Sequence, residues 1–252
     1  MHTYPKLLLG CVAATCTALA AQTAFAQTST ATANTAPGTT TSLHNSQAAA
    51  RPAAANDAGE ARNGAHHMQQ ALDTIKKMER DPDVKAMLRQ SKGVFVVPDY
   101  GRAALGVGGQ GGAGVLLVHE NGKWSGPGFY NLGGASIGIQ AGVSGGRIAM
   151  ILMDDKALRA FSHQNKFSLN ADAGLTIVNY SARGHGSAGR GDIVAWSDTK
   201  GLFGNVSISV TDVNFDASET TAYYGHDVAP SQLVAGGISN PKASSMLRQL
   251  PA

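Results

Sequence analysis

Residues Gly106-Val107-Gly108-Gly109-Gln110-Gly111 spell G-x-G-x-x-G, the spacing with which a Rossmann turn lays backbone N–H groups against a pyrophosphate. That chemistry needs a helix to start inside the glycines, because the helix N-terminus supplies the donors. Here the run continues into "AGVLLVHENGKW", which alternates and turns like a strand, and no acidic residue follows at about 20 positions in a βαβ setting. The glycines at 106, 108 and 111 are expected instead to bare one face of a sheet, where another layer approaches closely or a strand bends. No nucleotide and no other cofactor is implied.

Four further groups could carry chemistry. "GVSGG" at 142–146 matches the G-x-S-x-G of serine hydrolases, with Ser144 as nucleophile, but the strand-like "RIAMILM" after it places Ser144 in a hairpin turn rather than at a strand-to-helix elbow. His163, His185 and His226 could offer a base and Asp172 or Asp192 an orienting carboxylate, yet no spacing selects a set. His66 and His67 are adjacent, so on a helix they diverge and do not make an i, i+4 zinc pair. Asp154 and Asp155 immediately precede "KALRAF", where helix capping and the helix dipole explain them. The residues therefore name no enzyme and no metal site.

Binding chemistry is better represented. Lys85, Arg89 and Lys92 recur four and three residues apart, a cationic stripe on one side of a helix, with no acidic residue between Val84 and Pro98. Lys200, Leu202 and Phe203 put a cation beside an apolar pair in an expected loop. Anionic headgroups call for the first and membrane insertion for the second.

The elements that must position these residues begin beyond a leader. The sequence starts with Lys6, an apolar stretch from Leu7 to Ala21 and Ala24-Phe25-Ala26, which predicts a signal peptide over 1–26 cut between Ala26 and Gln27. "LLGC" also offers Cys11 for lipidation, though very early in the chain. Cys11 and Cys16 are the only cysteines, so the expected mature chain has no disulfide and no thiolate chemistry. The net charge of +3 falls to +2 without Lys6, too small to mark a nucleic-acid binder. Residues 27–63 are Ala, Thr and Ser with almost nothing large and apolar, and read as a flexible linker. One domain is expected over 64–252.

Within it, Met68, Leu72, Ile75 and Met78 predict a helix from Ala65 that stops at Asp81-Pro82, and Val84, Met87 and Leu88 predict a second. From Gly93 to Gly204, which holds 24 of the 31 glycines, the period becomes two. "GASIGIQAGVS", "SLNADAGLTI" and "NVSISVT" alternate strictly, as half-buried strands do. "GVFVVP", "GVLLVHENGKW" and "RIAMILM" predict strands with less one-sided burial, Asn121-Gly122 a hairpin, and "DDKALRAFSH" and "PKASSMLRQL" short helices. The expected class is α+β, predominantly antiparallel β: a glycine-rich sheet or barrel-like core with N-terminal helices and short peripheral helices.

The stretches "SKGVFVVPD", "GVGGQGGAGVLL", "GKWSGPGFYNLGGASIGIQAG", "KGLFGNVSISV" and "TAYYG" resemble, in order and spacing, the SYLF domain family, from about Ala65 to the C-terminus. The resemblance implies a lipid-binding module without enzyme activity. Animal and fungal members recognise phosphoinositides, and some bind actin; neither belongs in a bacterial periplasm. Gly204-Asn205 after "GLF" departs from the usual Ala-Gly. The expected function is binding of anionic phospholipid or a membrane surface in the periplasm or cell envelope. The alternative is an envelope interaction or structural protein whose glycine-rich sheet binds a protein partner or itself.

Overall fold

A computed structural model describes residues 50–105, 107–137, 142–169, 172–180, 191–198, 212–238 and 240–251. The leader with Ala26 and Gln27, the Lys200, Leu202 and Phe203 loop, and most of "NVSISVT" lie outside the described residues.

The first helix, α1, spans Ala50–Met78. Met68, Leu72, Ile75 and Met78 are buried as their spacing requires, together with Ala71 and Thr74. It starts at Ala50 and not at Ala65, so 50–63 is helix where a loop was expected. The reason is propensity: these residues lack bulk to bury but are rich in alanine, the best helix former, and adding residues to a helix already anchored costs no new nucleus. The second helix, α2, covers Pro82–Gln90. Asp81 caps it by accepting from the backbone N–H groups of Asp83 and Val84, and Pro82 sits in the first turn, where its missing donor costs nothing. Val84, Met87 and Leu88 face inward.

Four long strands follow: β1 (Gly93–Leu105), β2 (Val107–Glu120), β3 (Lys123–Ile137) and β4 (Gly142–Leu152). After α3 (Asp155–Ala160) come the short strands β5 (Ile177–Asn179), β6 (Ile193–Ser197) and β7 (Asp212–Phe215). Three helices close the chain: α4 (Ala217–Tyr224), α5 (Pro230–Val234) and α6 (Pro241–Leu247). The seven strands form one sheet in the order β5-β6-β4-β1-β2-β3-β7, curled into a half-barrel. Every pair is antiparallel except β5 with β6. The α+β, strand-rich class read from the periodicity is the one observed.

Consecutive apolar residues in "GVFVV" and "RIAMIL" follow from burial on both faces of the sheet. Phe95, Leu116, Tyr130, Ile148 and Met150 join Phe161 and Leu233 in one core. Their alternate neighbours Val94, Val96, Val115, Leu117 and Ile151 join Met68, Ile75, Leu88 and Leu247 in the other. Between β2 and β3, Asn121 and Gly122 take φ of 52° and 72°, the two left-handed residues of a type I′ turn, as the Asn-Gly pair predicts.

Three expectations are corrected. "GASIGIQAGVS" is not one strand: β3 pairs with β2 and β4 with β1, so the chain reverses between Ile137 and Gly142. Ser144 therefore lies within β4, opposite Arg102, and not in a hairpin turn. The described residues of "SLNADAGLTI" form no strand before Ile177, because Asp172 turns back to accept from the Ser168 N–H at 2.7 Å while the Asp172 and Ala173 N–H groups donate to the Ser168 carbonyl. Only its last residue enters β5.

Candidate functional site

The register aligns glycines that lie far apart in sequence. Gly145 pairs with Gly101, Gly101 with Gly111, and Gly111 with Gly133, so one rung crosses four strands without a side chain. At the usual strand spacing this bare rung is about 14 Å long. It lies just past a bulge in β1, where the register shifts between Val97 and Tyr100. Gly112 makes the bulge possible, since a Cβ there would lie 2.5 Å from the Asp99 carbonyl oxygen. On one side of the bulge both faces are covered by the two cores. On the other, Gly101 and Gly109 are exposed and have nothing among the described residues within 4 Å of where a side chain would begin.

Backbone approaches two of the rung's positions closely. A Cβ on Gly111 would lie 2.5 Å from the Leu132 carbonyl oxygen and one on Gly145 3.1 Å from that of Tyr100. Of the glycines in the G-x-G-x-x-G run, Gly106 lies outside the described residues, Gly108 lies in β2 opposite Ala104 and Ser136, and Gly111 stands where a neighbouring strand approaches too closely for a side chain.

The cationic stripe sits elsewhere. Arg89 is exposed and Lys85 half-buried on α2, but Lys92 lies beyond the helix's cap at Ser91, exposed, with its N–H donating to the Leu152 carbonyl, so the three do not share one helix. Lys92 adjoins Gly93, eight strand residues from Gly101, roughly 25 Å away at strand rise. The structure does not bring the stripe and the bare rung together. Nor is the stripe uncompensated, as the sequence suggested. Lys92 Nζ is 3.3 Å from Asp155 Oδ1 of α3, an exposed pair. Burial pushes the Glu79 carboxyl up, and Lys85, Lys76 and Arg89 pull it back down. Asp155 comes from a neighbouring element that linear spacing cannot show, whereas Glu79 lies six residues before Lys85.

The remaining candidates have structural work. His67 Nδ1 is 2.7 Å from Glu219 Oε1, linking α1 to the buried carboxylate of α4. That hydrogen bond raises the His67 pKa against the opposing effect of burial, with Glu219, Asp99 and Asp216 adding attraction. Asp154 accepts from the Ala157 N–H at 2.7 Å and caps α3. Asp192 accepts from the Thr176 N–H at 2.7 Å, which holds its carboxyl below the ordinary range. His163 and His226 are exposed, and His185 lies outside the described residues. Among the described residues no group of three or more His, Cys, Asp or Glu is arranged to hold a metal ion, and no helix is long and apolar enough to cross a membrane.

Sequence reasoning missed a cleft of about 690 Å³ between the β2–β3 hairpin and α6. Trp124 and Leu247 line it from opposite sides. Only the docking of the last helix against the hairpin creates it, and no motif signals that docking.

Residues 133–251, from the rung's last glycine through α6, match the family model described as "Ysc84: Las17-binding protein actin regulator". This segment is similar to the Ysc84 family. Among curated proteins the chain is similar to "Protein YSC84" of Saccharomyces cerevisiae, 25% identical over 65% of this chain and 36% of that protein. "LAS seventeen-binding protein 3" of the same yeast is 26% identical over 64% of this chain and 36% of its own length. "SH3 domain-containing YSC84-like protein 1" of Bos taurus is 20% identical over 79% of this chain and 60% of its own. The chain thus spans about a third of the length of the yeast relatives, 36% in each case. The family description and the name of LAS seventeen-binding protein 3 refer to binding of Las17, and the SYLF resemblance read from five short stretches leads to the same family.

Proposed function

We propose that this Ysc84-like chain is a non-enzymatic module of the cell envelope that binds anionic phospholipid. The observation that carries the reading is the bare rung Gly145-Gly101-Gly111-Gly133, a trough across four strands whose far side is unroofed at Gly101 and Gly109. A surface of backbone with its hydrogen bonds already made to neighbouring strands offers an extended acyl chain close contact without displacing side chains. Arg89 and Lys85 supply attraction for anionic headgroups at the opposite end of β1, so the two features act on different parts of a membrane contact. The Ala24-Phe25-Ala26 leader supports export, with the mature chain starting at Gln27. Lys200, Leu202 and Phe203 remain candidates for the same contact.

A protein partner is the second reading, favoured by the family's description and by the name of LAS seventeen-binding protein 3. Mass spectrometry of lipid extracted from the purified protein, with flotation on vesicles of defined composition, separates the two. Lipid-free protein that ignores both anionic and zwitterionic vesicles but forms a discrete complex with an envelope protein would replace the first reading with the second.

A further inference from the structure

We propose that the cleft between the β2–β3 hairpin and α6 is a small-molecule site for an organic anion, an acidic group carried on a compact apolar body. Its volume of about 690 Å³ falls within the usual range for ligand pockets. Its lining sets three apolar side chains against six polar or charged ones, more polar than the usual pocket and suited to a ligand that carries an acidic group. The floor is Trp124, Leu247 and Leu250, each under a tenth exposed. Lys123 and Arg248 stand at the rim.

Three observations give the cleft its chemistry. First, the floor is preorganised. The Trp124 Nε1–H donates to the Pro251 carbonyl at 2.7 Å, and its ring stacks on His119 with centroids 4.4 Å apart and planes 12° from parallel. His119 is in turn held at 3.0 Å between Nδ1 and the Ser91 carbonyl, so a ligand need not pay to order the indole. Second, Lys123 and Arg248 are exposed and have no side-chain partner among the described residues, unlike Lys77, Lys92, Arg147 and Lys166, which are all paired with aspartates. Third, the two cations outnumber the one carboxylate of the lining, Glu120. Glu120 Oε2 lies against the Gly236 backbone, 2.5 Å from where a Cβ would stand. The lining therefore keeps a surplus of positive charge, and Ser125 adds a hydroxyl, while the Ser244 hydroxyl already donates to the Asn240 carbonyl at 3.0 Å.

This site is separate from the bare rung, at the other end of β2 and β3, and does not depend on the phospholipid reading. The shared ligand chemistry could come from a long-chain lipid or from a free aromatic or aliphatic phosphate. Two probes distinguish these sources: dodecyl phosphate and phenyl phosphate, with inorganic phosphate as the reference. The chain has two tryptophans, so a W196F variant leaves Trp124 as the sole indole reporter, and calorimetry on the unmodified protein serves if that variant does not fold.

The expected result is saturable one-to-one binding of at least one organic phosphate, at least tenfold tighter than inorganic phosphate, with a change in Trp124 emission. The double variant K123Q/R248Q should weaken it at least tenfold with an unchanged thermal unfolding midpoint, while K85Q/R89Q should leave it unaltered. Dodecyl phosphate alone binding assigns the site to lipid; phenyl phosphate binding assigns it to free compact anions. No saturable binding of either, equal binding of inorganic phosphate, or full retention in K123Q/R248Q overturns the proposal.

Discussion

Gly101 of β1 and Gly111 of β2 are direct cross-strand partners, yet they stand in opposite surroundings. A side chain at Gly101 would meet nothing among the described residues within 4 Å, whereas one at Gly111 would meet the Leu132 carbonyl oxygen at 2.5 Å. The same bare rung is therefore open at one position and closed by backbone at the next.

Alanine at the two positions should separate these roles. G111A must move backbone and is expected to cost on the order of 1 to 3 kcal/mol. G101A should stay within about 0.5 kcal/mol of the parent, helped by reduced freedom of the unfolded chain. Urea unfolding of both variants measures this, and equal losses would remove close backbone approach from the role assigned to Gly111.

His67 and Glu219 set a pH dependence. Because the folded protein raises the His67 pKa above its ordinary 6.5, the pair's contribution is fully present below that value. It is lost as the pH climbs through the raised value. At the acidic end, H67A should be less stable than the parent by about 1.5 to 3 kcal/mol, the range for a hydrogen bond to a charged group. The gap should narrow in alkaline buffer. Chemical denaturation across this pH series reads it, and a gap that widens with pH would reverse the assignment.

For the cationic stripe, the Lys92–Asp155 pair makes the three positions unequal. Each free cation near an anionic surface contributes about 1 kcal/mol. K85Q/R89Q should therefore weaken flotation on anionic vesicles by roughly 2 kcal/mol at low salt, with less effect from K92Q. Binding should fade as ionic strength rises, because screening shortens the reach of surface charge to about 8 Å at physiological salt. Unchanged flotation by the folded double variant would exclude the stripe from the membrane contact.

Trp124 ties the chain's end to the hairpin through the Pro251 carbonyl. W124F keeps the aromatic floor but strands that buried acceptor, an expected cost of about 1 to 3 kcal/mol. Hydrogen exchange should accelerate in α6 before the central strands. Uniform exchange changes throughout the sheet would show that the bond does not act locally.

Much of this fold was legible because short-range signals and tertiary packing agree. Met68 to Met78 declare their helix by spacing, Asn121-Gly122 their turn by φ, and Asp154 its cap by position. The sequence misled where a side chain overrode the pattern, as when Asp172 folds back onto Ser168 and breaks an alternating run. It was silent where partners lie far apart. Nothing in residues 84–98 announces Asp155, and no inspection of Gly145, Gly101, Gly111 and Gly133 reveals that they share a rung until the register is known. The hairpin cleft was invisible for the same reason, since its two walls are over a hundred residues apart in the chain.

The strand order has a kinetic consequence. β1, β2 and β3 form a meander of successive hairpins whose contacts close over short loops, but β4 must pass to the far side of β1, and β7 reaches β3 only after β4, β5 and β6. Closing such long loops before their contacts reward them slows folding. The meander would then stand for a time with both outer edges unpaired, and unpaired strand edges recruit other chains. In a crowded refolding mixture the competitor of the native state is thus a second meander, and recovery of monomer should fall as protein concentration rises even where the finished fold is stable.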